Sequence, residues 1–143
     1  MVDSGPQHDE MGPVTRFIEL ASITVSVGMV IALGNRFVFL PDMLVWWTPL
    51  VIVAGALTTD FMSGMIHWFA DTWGSENMPV LGRRLLRPFR VHHVNPDDFL
   101  RRDFIDTNGD VAMVVFPLLL LGLTLPIDTS VQCALALFFA VVA

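Results

Sequence analysis

Four apolar blocks separated by short polar stretches constrain this 143-residue chain more than anything else in it. The first runs from about Phe17 to Leu40 and carries no charge between Leu20 and Asn35. The second runs from about Met43 to Asp71, uncharged as far as Thr59. The third covers about Val111 to Leu125, and the fourth starts near Ser130 and is still apolar at Ala143. A helix crosses the hydrocarbon core of a bilayer with ~20 residues at ~1.5 Å each. The third block is short for this and the fourth ends early. The expectation is an all-α, polytopic membrane helical bundle of about four transmembrane helices, the last truncated, with an amphipathic-helical loop between the second and third. The chain reads as the N-terminal portion of a longer protein. Charged residues make up only 15% of it, against ~25% in a soluble domain, which excludes an ordinary soluble core.

Residues 1–15 are polar and hold Gly5, Pro6, Gly12 and Pro13, so they read as a disordered tail before a domain spanning 16–143. No basic stretch precedes a short apolar core with a small-residue cleavage site, so a cleaved signal peptide is not expected. Trp46 and Trp47 mark one end of the second block, Trp68 and Trp73 the other. Trp47 to Trp68 corresponds to ~32 Å of helix, close to the ~30 Å hydrocarbon thickness, as expected of an aromatic belt. All eight basic residues are Arg, and six of them fall between Gly74 and Asp110. By the positive-inside rule that loop is cytoplasmic, and so is the N-terminus two spans earlier. The absence of Lys hints at a GC-rich bacterial genome and favours a bacterial inner membrane over the endoplasmic reticulum. The few arginines are mixed with carboxylates, so nucleic-acid binding is not expected. Cys133 stands alone in an apolar run, where no intrachain disulfide is available to it.

The loop has its own organisation. Pro88 is placed to start a short helix through His93, stopped by Asn95-Pro96. Pro96 is placed to start a second, with Asp97 and Asp98 in its first turn and Asn108-Gly109 as its stop. Both pieces are expected at the membrane surface, with Phe89, Phe99, Leu100, Phe104 and Ile105 facing inward.

Ionisable residues in this setting point to chemistry. Asp60, Gly64, His67 and Asp71 are spaced to share one stripe of a helix. Buried in or near a bilayer, such groups need partners and default to a functional role. Adjacent His92 and His93 project ~100° apart on a helix, so they serve two metals, or one metal and one hydrogen bond. Imidazole with carboxylate suits iron, and equally zinc, copper or nickel. Composition and spacing stop at a metal or proton site near the inner membrane surface.

The strings SGMIHWFADTWG (63–74) and RPFRVHHVNPDDFLRRDFIDTNGD (87–110) resemble the Kua, or plasmanylethanolamine desaturase, family of membrane lipid desaturases. The resemblance covers the central third of the chain. It implies an O2-dependent oxidoreductase with a non-haem di-iron centre. Such an enzyme introduces a double bond into an ether-lipid alkyl chain, giving a vinyl ether, or into a fatty acyl chain. It implies that His67, His92 and His93 are catalytic iron ligands and that Asp71 is a ligand or orients one. It also implies a membrane lipid substrate and an electron donor such as cytochrome b5 or ferredoxin.

This chain departs from the family at two places: Val91 stands where Glu is common, and Arg102 where His is common. The family also carries further histidine clusters after the later spans, so this piece alone is expected to be inactive. Asp60, Arg87 and Arg90 are candidate contacts to lipid or donor, although topology alone accounts for arginines in such a loop. Two other readings stay open. One is an ion or proton relay through Asp60 and His67. The other is a non-catalytic membrane protein of the same fold, suggested by Val91 and Arg102.

Overall fold

The computed structural model describes residues 12–40, 45–79 and 81–143, and among them there are helices and turns but no strands. Five α-helices follow in order: α1 (Pro13–Val38), α2 (Thr48–Thr72), α3 (Arg87–Val94), α4 (Phe104–Thr124) and α5 (Ser130–Val142). A π-helical turn, Gly82–Leu86, leads into α3, and a 3₁₀ turn, Pro96–Arg101, follows it. Three of the helices, α1, α2 and α4, are long and apolar enough to cross a membrane, and α5 is a shorter apolar helix. Large apolar side chains such as Val27, Ile31, Leu57, Phe61 and Val114 face outward from these helices. An apolar outer surface of this extent is stable against lipid and not against water.

The expected boundaries hold for most of the chain, with two corrections. Pro13 already opens α1, at a first-turn position where its missing N–H costs nothing; residues 1–11 of the expected tail lie outside the described residues. The second correction concerns Asn108-Gly109, which does not stop a surface helix. Asp103 caps the helix instead, its side chain accepting the backbone N–H groups of Ile105 and Asp106. The helix then continues through Gly109 to Thr124, so the third apolar block gains the seven residues Phe104–Asp110 and becomes long enough to span. Pro96 does open a turn, but it closes at Arg101. The start of α5 carries a capping box, with Thr129 and Gln132 each bonding the other's backbone N–H.

Contacts between distant residues give the topology. Arg16 meets Asp103, Ser26 donates to the carbonyl of Ala112 at 3.1 Å, and Arg36 donates to the carbonyls of Gly122 and Leu123. Hence α1 and α4 run parallel, in register along their lengths. Helix α5 returns antiparallel to α4 and packs beside α2, where Thr59 approaches the carbonyls of Val141 and Val142. Leu33, Phe37, Leu119, Ala136 and Leu137 form the core between α1, α4 and α5. Gly122 sits there because a Cβ would lie 3.2 Å from Leu33 and 3.3 Å from the Ala136 carbonyl; small residues let membrane helices approach closely. The start of α1, the end of α2, α3 and the start of α4 all meet at the opposite end of the bundle.

Candidate metal centre

That end holds the histidines. His67 lies on the penultimate turn of α2, and Asp71 one turn later on the same face. The chain reverses after α2 at Gly74, whose φ of +80° suits glycine and whose absent Cβ would meet Leu86 at 2.7 Å. The π-helical turn and α3 then fold back so that His92 and His93 face the end of α2. One ligand atom from each of His67, His92 and His93 lies within 4.8 Å of the others. The Asp71 Oδ2 is 3.2 Å from Nε2 of His67 and 3.0 Å from Nε2 of His93. His92 points its Nδ1 at the carbonyl of Pro88, 3.3 Å away within α3, which leaves Nε2 for the cluster. The edge of Phe89 packs against the His67 ring at 4.9 Å.

The donor set fits a transition-metal ion. Bonds of about 2.1 Å put neighbouring ligands on one tetrahedral ion ~3.4 Å apart, so imidazole nitrogens within 4.8 Å of one another reach a common ion by closing ~1 Å, a shift that side-chain rotation supplies. The second oxygen of Asp71 is buried and has no hydrogen-bond partner among the described residues. Buried carboxylate oxygens are normally paired, so this one is available to an ion. Three nitrogens and a carboxylate match iron, zinc, copper or nickel by softness alone.

The other expected site residues are placed as follows. Asp60 is exposed on α2, about 10 Å along the helix from His67, and is not part of the cluster. Arg90 lies on α3 with its guanidinium turned onto α2: Nε donates to the carbonyl of Ala70, and one terminal nitrogen to those of Trp73 and Gly74. Arg87 is half-buried at the start of α3. Val91 is the buried residue of α3 and acts as its apolar anchor. Arg102 pairs with Asp106 at 2.8 Å, one turn into α4.

Sequence reasoning missed a second polar cluster. Glu19 of α1 is buried with 1% exposure, and Arg84 of the π-helical turn reaches it at 3.3 Å and Asp110 of α4 at 2.7 Å. Gly109 makes the approach possible, because a Cβ there would lie 2.5 Å from the Glu19 side chain. Beside it, Arg16 grips both oxygens of Asp103. That contact first, and the backbone N–H of Asp106 next, hold the Asp103 carboxyl well below the usual carboxylate range. An acid one turn inside an apolar block was the signal available in the sequence.

A family model described as a lipid desaturase domain matches residues 56–143, which include every residue of the histidine cluster. The chain belongs to the lipid desaturase family. It is 41% identical over 116 residues to a plasmanylethanolamine desaturase of Myxococcus xanthus, covering 81% of this chain and 41% of that protein. It is 46% identical over 112 residues to plasmanylethanolamine desaturase 1 of Mus musculus, covering 75% of this chain and 40% of that one. A chloroplastic fatty acid desaturase 4 of Arabidopsis thaliana is 36% identical over 62 residues, 43% of this chain and 19% of that protein. This lipid desaturase chain therefore spans about two fifths of the length of the first two relatives. No solved structure matches it.

Proposed function

We propose that this chain forms the N-terminal part of a membrane lipid desaturase that converts an ether-lipid alkyl chain to a vinyl ether at a non-haem di-iron centre. The observation that carries the reading is the convergence of His67, His92, His93 and Asp71 at one end of helices long enough to cross a bilayer. The ether-lipid substrate is favoured over an acyl one by the names of the relatives that match over most of the chain.

Iron held there would supply the oxidising power that side chains lack, for a reaction that takes two hydrogens from neighbouring carbons and consumes O2, two electrons and two protons to give two waters. The protein's part is to hold and orient. His67, His92 and His93 would bind the metal through one nitrogen each. Asp71 fixes the rings of His67 and His93 from one carboxylate oxygen, and the Pro88 carbonyl fixes that of His92. Phe89 packs T-shaped against His67 and restricts the tilt of its ring. A site at the end of the bundle suits a bond beside the glycerol oxygen, close to the headgroup. Six of the eight arginines lie in the loop that carries His92 and His93, which favours a cytoplasmic site. Arg87, half-buried at the start of α3, is then a candidate contact to lipid phosphate or to an acidic donor such as cytochrome b5 or ferredoxin.

The test is lipid mass spectrometry of cells that make alkyl ether lipids but no vinyl ethers, supplied with the complete gene. Vinyl ether products that vanish in His92→Ala and His93→Ala are expected. A new acyl double bond instead would transfer the reading to fatty acyl substrates. Neither product, with no iron in the purified protein, would refute it.

A further inference from the structure

Helix α3 has eight residues, too few to hold its own shape in water or at a membrane surface. Its orientation is set by what it docks on, and that orientation decides where His92 and His93 point. Arg90 makes the polar part of this docking. Its Nε donates to Ala70 at 3.1 Å, and its terminal nitrogen donates to Trp73 at 2.8 Å and Gly74 at 3.2 Å. Another terminal nitrogen lies 4.0 Å from a carboxylate oxygen of Glu76. These carbonyls belong to the end of α2 and the turn after it, where a helix leaves acceptors unpaired.

The register matters most. Ala70 and Asp71 are neighbours on α2, while Arg90 and His93 lie one turn apart on α3. Arg90 holds the carbonyl of Ala70, and His93 faces the carboxylate of Asp71 at 3.0 Å. Rotation or sliding of α3 that breaks one contact breaks the other. We infer that Arg90 is a positioning residue that sets the distance between the α2 ligands, His67 and Asp71, and the α3 ligands, His92 and His93. The inference rests on the reading that these histidines hold a metal. A lysine cannot replace Arg90, because a single ammonium does not span carbonyls that the planar guanidinium reaches from different nitrogens.

The test is Co(II) binding to the complete protein in detergent micelles, read by affinity and by visible absorption at saturating metal. Arg90→Ala is expected to weaken binding ~10–100-fold and to change the band positions even when saturated, since the ligand geometry has shifted. Arg90→Lys should recover little of either, whereas millimolar guanidinium added to Arg90→Ala should restore both. Thermal melting of the metal-free proteins shows that the variants fold; if Arg90→Ala does not, Arg90→Lys carries the comparison. Variants with parental spectra and affinities within twofold overturn the inference while leaving the metal site intact. Parental Co(II) binding with a raised KM for lipid also overturns it, making Arg90 a lipid contact. A parent protein that takes up no Co(II) refutes the metal reading and this inference together.

Discussion

Gly109→Ala tests the packing that joins α1 to α4. The added Cβ would sit 2.5 Å from both Cβ and Cγ of Glu19 and 3.0 Å from its Cα. These atoms are the root of the side chain, so no change of rotamer removes the clash. Ordinary contact begins near 3.4 Å, so the helices must part locally by about 1 Å in a close-packed interior. Overpacking of this kind costs ~1–3 kcal/mol. The same opening draws Asp110 of α4 away from Glu19 of α1 and strains the Arg84 bridge between them, weakening the pairing of a buried acid. Helix propensity returns up to ~1 kcal/mol, and the net expectation is a loss of ~1–3 kcal/mol. Gly28→Ala on α1 is the control, because a Cβ there meets nothing within 4 Å. Unfolding in mixed detergent micelles, followed by tryptophan fluorescence, gives both values. Gly109→Ala proving as stable as Gly28→Ala would refute the close approach of α4 to Glu19.

Asp71→Asn should lower metal affinity ~10–100-fold and leave the melting temperature of the metal-free protein nearly unchanged; equilibrium dialysis with Fe(II) or Co(II) measures the first. Arg36→Leu removes the donor to the carbonyls of Gly122, Leu123 and Leu125 at the end of α4, with an expected loss of ~1–3 kcal/mol in micelle unfolding. Asp103 has a folded pKa below its unfolded value, so the stability it adds is present above pH ~4 and fades as pH falls toward the folded pKa. The melting temperature of the parent should therefore exceed that of Asp103→Asn by a constant amount from pH 5 to 8. That gap should narrow below pH ~4 and shrink in molar salt, because the pair with Arg16 is exposed.

The long helices were legible because a bilayer allows few solutions: uncharged blocks of sufficient length become spans. The His67–Asp71 pair was legible for a related reason, since helical spacing fixes which residues share a face. Convergence of His92 and His93 on that pair was not derivable from periodicity, because it depends on the reversal at Gly74 and the docking of Arg90. The resemblance supplied it. Asn108-Gly109 misled as a stop signal because glycine there answers to Glu19, a partner ninety residues earlier in sequence, and not to backbone conformation. Glu19 itself went unnoticed at the edge of an uncharged stretch. Arg90 reads in the sequence as a candidate contact to lipid or donor or as a topology marker; its acceptors in the structure are carbonyls at the end of the neighbouring helix, which no sequence pattern announces.

The parallel pairing of α1 with α4 also dictates when the molecule can be finished. Arg16, Ser26 and Arg36 find their partners 86 or 87 residues later in the chain. At ~5–20 residues per second, α1 waits several seconds after its own synthesis before α4 exists to receive it. Until Arg84 is made Glu19 lacks its cation, so a nascent chain halted before residue 84 carries an unmatched acid at the edge of the bilayer.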